Sequence, residues 1–314
     1  MHPIVARIHP ALRTTFLAFL VGRGAFWLSR WIQGRDLATL TYGVGPWANM
    51  KTLVDLGNEV IPWAPGHFGT YSMIGLGELM VWLSALAVYK IIRREGLPQT
   101  ADRAVWFWMC SPLISLLVPG SGWIIGGALA VWALEFAGSN RAGWAGVMMA
   151  ISAMIAPQTV VLFPGVAALS FRSSKDEITP WIATLLPILV MASWVLYGVL
   201  FGDAPRYIFD AFALREEWVP AALIQNPLDV AQIGLGLALL VLWAMNLKRL
   251  PRSFALTSLP AIMVLLIAPL GLQNMFPLLV AAPIWAHLAL ISQDPEIERP
   301  LLGVSLLMLI LAVA

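Results

Sequence analysis

The 314-residue chain predicts an all-α fold, a polytopic transmembrane helical bundle, on three observations. Hydrophobic residues make up 60% of it and charged residues only 11%, whereas a soluble protein carries about 25% charged residues. So few charges cannot cover a water-facing surface. Second, the apolar runs are continuous rather than alternating, which suits spanning helices and not the strands of a β-barrel. Third, the basic residues gather between alternate runs, as they do in cytoplasmic loops.

A spanning helix needs about 20 apolar residues, and about eleven segments approach that length. The first covers residues 14–33 and the second 68–92. Four closely spaced segments follow, at 103–118, 121–138, 142–157 and 158–172, some short enough to be half-helices or strongly tilted. The remainder lie at 179–201, 230–247, 254–271, 274–292 and 300–314. Together they make residues 1–314 a single transmembrane domain. With the N-terminus in the cytoplasm, thirteen of the 19 Lys and Arg fall on inner loops and four on outer loops. The other two, Arg23 and Arg30, lie inside the first span. This asymmetry orients the chain. Arg23 and Arg30 also interrupt the first apolar stretch, and no small-residue cleavage site follows it, so it reads as a retained helix rather than a signal peptide. The expected location is a bacterial inner (plasma) membrane.

Composition also excludes functions. A formal net charge of +2, with the bases spread over short loops, does not make a nucleic-acid surface. The single cysteine, Cys110, excludes an intramolecular disulfide and a cysteine zinc site, and its apolar neighbours point to a buried thiol. The four histidines are scattered.

Two long outer loops, residues 34–67 and 202–229, form the extracytoplasmic face and are where function is expected. The first carries Trp47 and Trp63, and Phe68 follows at the start of the second span, all suited to a membrane interface. Asp55 and Glu59 are four apart there, so a helix would place both on one face. Such a pair can hold a divalent metal or take the proton of an acceptor hydroxyl; the plainer alternative is two solvated carboxylates. Charges at membrane depth are costly and pair up. Arg23 in the first span and Glu78 in the antiparallel second stand at similar depths, which predicts a structural ion pair. Arg30, near the outer helix end, either reaches the headgroups or holds a lipid-linked phosphate. Glu135 is expected at an inner interface close to Arg141. Gly126-Gly127 suits close helix packing, and Pro112, Pro157, Pro187 and Pro277 are expected to kink or end helices.

Residues 111–168 carry an ordered set of short motifs. These are Ser111-Pro112, Val118-Pro119-Gly120-Ser121-Gly122-Trp123, Arg141-Ala142-Gly143-Trp144, Ala150 to Gln158, and Leu162-Phe163-Pro164-Gly165. Phe201-Gly202-Asp203-Ala204-Pro205 opens the second outer loop, and Asn274-Met275-Phe276-Pro277-Leu278 follows late in the chain. In order and topology the chain resembles the GT-C superfamily of integral-membrane glycosyltransferases, most closely the bacterial PIG-V-like mannosyltransferase branch. The resemblance implies a sugar, mannose first, moved from a polyprenyl-phosphate donor to an extracytoplasmic acceptor. It implies an acidic general base in the first outer loop, with Asp55, Glu59 and Asp36 as candidates. It implies positive groups on the departing phosphate, with Arg30 and Arg206 as candidates beside Asp203. The family's charged positions are uncharged here: Ala48 and Asn49 after Trp47, Gly122, Ala156, and Gln273 or Asn274. This leaves a second reading, a non-catalytic GT-C-like scaffold or lipid-binding subunit of a membrane complex. A transporter is the third, but no internal repeat supports it. The implied partners are membrane lipids and another membrane protein.

Overall fold

The computed structural model describes residues 10–32, 68–94, 101–110, 122–155 and 157–201, with 244–245 and 248. The spans expected at 254–271, 274–292 and 300–314 lie outside the described residues, as do both outer loops and most of 230–247.

Every described element is helical, and no strand occurs among the described residues. Helices α1 (Pro10–Ile32), α2 (Phe68–Arg94), α3 (Ala101–Cys110), α4 (Gly122–Gly138) and α5 (Ala142–Ile155) come first. A 3-10 segment (Pro157–Leu162), α6 (Phe163–Ser173) and α7 (Thr179–Phe201) follow. Of the described helices one, within α2 at Ile74–Arg94, is long and apolar enough to cross a membrane by itself. The 14 residues of α5 extend about 21 Å, short of a bilayer core of about 30 Å.

The segment expected as one span at 158–172 is two pieces, a six-residue 3-10 run and the eleven-residue α6. Proline explains the break. Pro157 follows the end of α5, and Pro164 sits in the first turn of α6, where a missing N–H costs nothing. Pro187 lies inside α7 and leaves the Ala183 carbonyl without its helical donor. The buried hydroxyls of Ser152 and Thr159 tie the 3-10 run back to the helices. Ser152 Oγ lies 2.7 Å from the Gly126 carbonyl and 2.8 Å from Thr159 Oγ1. A hydroxyl has one proton, so Ser152 donates to the carbonyl and accepts from Thr159. Ser152→Ala removes a buried partner from two groups and is expected to cost about 1–3 kcal/mol, read as a lowered Tm of the purified chain.

Packing follows small residues. Buried alanines line α2, α4 and α5, among them Ala85, Ala130, Ala133, Ala145 and Ala153. Such side chains let helix axes approach. Gly22 of α1 faces the Met109 backbone carbonyl of α3, leaving no room for a Cβ. Gly146 of α5 does the same on α7, where a Cβ would lie 2.8 Å from the Ile182 oxygen. Cys110 is buried and free, as its apolar neighbours suggested.

The last turn of α4 is capped from two neighbours. Arg94 Nη1 donates to the Glu135 carbonyl at 3.0 Å, and Ser173 Oγ donates to the Ala137 carbonyl. Asn140 takes the left-handed conformation (φ 60°), and the Arg141 N–H reaches back to the Phe136 carbonyl, 3.0 Å. Glu135 is therefore not interfacial but buried, because α2 and α6 both close over this turn. α2, α4 and α6 end here while α5 and α7 begin here, so Arg93, Arg94, Arg141, Arg172 and Lys175 share one end.

Candidate functional site

The polar centre among the described residues lies between α1 and α2. Arg23 is buried, 1% exposed, although it is among the largest side chains in the core. Its guanidinium meets Glu78 edge-on: Nη2 donates to Oε1 at 2.6 Å, and Nε donates to Oε2 at 2.8 Å and to Oε1 at 3.1 Å. The Trp27 indole N–H donates to the same Oε1 at 2.9 Å. Arg23 and Glu78 form the ion pair among the described residues, at the depth-matched positions expected of them. An ion this far from water is tolerable only when its counter-charge and hydrogen bonds are in place.

One helix face builds the arrangement. Arg23, Phe26, Trp27 and Arg30 are spaced i, i+3, i+4 and i+7, a single stripe along α1. The Arg23 guanidinium lies 4.4 Å from the Phe26 ring centre and that of Arg30 lies 5.6 Å from it. Trp27 meets Phe26 edge to face, ring centroids 5.4 Å apart. Lower on the same helix pair, the Trp82 indole donates to Thr15 Oγ1 at 3.2 Å. Thr15 in turn donates back to the Ala11 carbonyl at 2.7 Å. α1 and α2 are thus joined at two levels by polar contacts.

No protein-family model, no characterised protein and no solved structure matches this chain.

Arg23 and Glu78 are brought together, with Arg30 two turns further along the stripe. Asp36, Asp55, Glu59, Asp203 and Arg206 lie outside the described residues. The chemistry available to the described centre is narrow. A carboxylate offers about four lone-pair sites, and Glu78 receives four donor contacts. Three of these contacts fall on Oε1 and one on Oε2, and the N–H groups that make them come from α1, so the pair works as a clamp between helices. Among the described residues no group of three His, Cys, Asp or Glu is placed to hold a metal ion. Two members of the centre escaped the charge-based reading, Phe26 and Trp27. Their signal was helical spacing from Arg23, which places an aromatic face and an indole donor beside a buried guanidinium.

Proposed function

We propose that this chain is a polytopic GT-C-like membrane protein that moves a sugar from a polyprenyl-phosphate donor to an extracytoplasmic acceptor. The ordered motif series across residues 111–168 carries the reading. Supporting it are the gathering of bases at one end of the helices and the large apolar side chains exposed on α1 and α7, among them Leu20, Trp31, Leu189 and Leu196. In the reaction the bond between the sugar's anomeric carbon and the donor phosphate breaks. A bond from that carbon to the acceptor oxygen forms, and the acceptor proton passes to a carboxylate. Asp55, Glu59 and Asp36 are the candidate bases. Arg30 and Arg206 are the candidate groups that stabilise the departing lipid phosphate, with Asp203 beside Arg206 in the second outer loop. Glu78, held by Arg23 and Trp27, serves as the clamp between α1 and α2.

Single substitutions Asp55→Asn, Glu59→Gln and Asp36→Asn separate the candidates. One of the three is expected to lower transfer by about 100-fold or more, the usual share of general-base catalysis. The measurement is release of polyprenyl phosphate from a lipid-linked mannose donor by the purified chain. Full activity in all three removes the proposed base.

A second reading rests on the uncharged residues Ala48, Asn49, Gly122, Ala156, Gln273 and Asn274 at the family's charged positions. On that reading the chain is a non-catalytic subunit. Native mass spectrometry of material extracted in mild detergent separates the two. A chain that carries polyprenyl phosphate and turns over donor supports the enzyme; a fixed-stoichiometry complex without turnover supports the subunit.

A further inference from the structure

One corner of the basic end brings three bases and three aromatic rings to the surface. The Lys175 backbone N–H donates to Asn140 Oδ1 at 3.1 Å, pinning the connection between α6 and α7 onto the α4–α5 turn. Arg141 follows Asn140 directly, and Arg172 lies in the last turn of α6. All three side chains are exposed, and none is ion-paired among the described residues. The neighbouring carboxylates form no ion pair with them among the described residues. Asp176 Oδ2 instead accepts from Thr179 Oγ1 at 3.2 Å, at the positive end of α7, and Glu177 is exposed.

At this same end, within a turn of these bases along the helices, stand Trp144 of α5, Phe171 of α6 and Trp181 of α7. They are 59%, 46% and 53% exposed. Phe171 and Trp181 meet edge to face, centroids 5.2 Å apart. Ile178 is the most open apolar side chain of the corner at 75%. Bases next to half-open aromatic rings reproduce the layering of a lipid, phosphate first and the acyl boundary beneath it. Water alone would not favour three large open rings at one end of the helices, two of them in contact.

We propose that this corner seats an acidic glycerophospholipid. Its phosphate is held by Arg141, Arg172 and Lys175, and its chains lie against Phe171, Trp181 and Trp144. The inference rests on the membrane reading of the chain and is independent of the sugar-transfer reaction. The two charged surfaces are opposite in sign, and a base close to an anionic lipid surface contributes on the order of a five-fold gain in binding.

The test uses the full chain in mild detergent, titrated separately with phosphatidylglycerol and phosphatidylcholine and read by native mass spectrometry. The wild type is expected to retain phosphatidylglycerol preferentially. The variant R141Q/R172Q/K175Q is expected to lose that preference, its phosphatidylglycerol binding falling by on the order of 10- to 100-fold. K90Q/R93Q, with equally exposed bases elsewhere at the same end, is expected to keep it. Equal retention of both lipids by the wild type overturns the proposal. So does an unchanged preference in the triple variant, or an equal loss in K90Q/R93Q. Because the replaced side chains are exposed, the helical circular dichroism of the variants should match the wild type. Failure of the membrane reading shows separately, as chain that floats with no vesicles and stays soluble without detergent.

Discussion

Glu78→Ala is expected to lower folding stability by about 3–5 kcal/mol, because it leaves the Arg23 guanidinium buried without its counter-charge. That is a large part of the roughly 5–15 kcal/mol that holds a typical domain together. The loss should appear as a lower Tm of the detergent-purified chain. Arg23→Ala should cost about as much, since Glu78 then keeps only the Trp27 donor. Replacing both at once by similarly shaped apolar residues, Arg23→Met with Glu78→Leu, is expected to be close to neutral, because no unpaired charge remains. The exchange of Arg23→Glu with Glu78→Arg is expected to recover only part of the loss. In the exchanged protein the Trp27 N–H, now aimed at a carboxylate oxygen, would point at a guanidinium. Adding Trp27→Phe to the exchange should therefore cost less than Trp27→Phe does in the wild type. If the two single variants and the double apolar variant lose the same stability, the clamp is not a coupled pair and the geometry described for it contributes nothing.

The second large effect belongs to a glycine one residue earlier. Gly22→Ala places a methyl group within the contact distance of the Met109 carbonyl oxygen and carbon, which are backbone and cannot rotate away. α1 must then move off α3. Overpacking of this kind costs about 1–3 kcal/mol, and the shift also carries Arg23 away from Glu78, so Gly22→Ala should cost more than the contact alone. Gly24 is the control. A Cβ there meets no described atom within 4 Å. Gly24→Ala should be neutral or raise stability by up to about 1 kcal/mol, the helix preference of alanine over glycine. Equal effects at the two glycines would mean that helix propensity, not the α1–α3 contact, governs both.

These two sites differ in how far they could be foreseen. The ion pair was legible because burying a charge alone is so unfavourable that Arg23 needed an acid at its own depth. The antiparallel second helix offers Glu78 at that depth. Nothing comparable distinguishes Gly22 from Gly24 before the fold is known. Both are glycines within one apolar run, and only the neighbour they meet separates them. Glu135 makes the same point from the other side. It stands near a helix end beside a basic loop, which suggests an interface, yet α2 and α6 pack over that turn and bury it.

The sequence by itself determined the helical character of the described segments and the gathering of bases at one end of them. These depend on local properties: how many apolar residues run together, where proline removes an N–H, and which connections carry arginine and lysine. The tertiary structure alone decided that 158–172 divides into a 3-10 run and a short helix held by Ser152 and Thr159. It alone decided that Trp27 completes the Arg23–Glu78 clamp and that Trp144, Phe171 and Trp181 open beside three bases. These features arise where separate elements meet, and their energies depend on which surfaces meet, a quantity that neither composition nor periodicity contains.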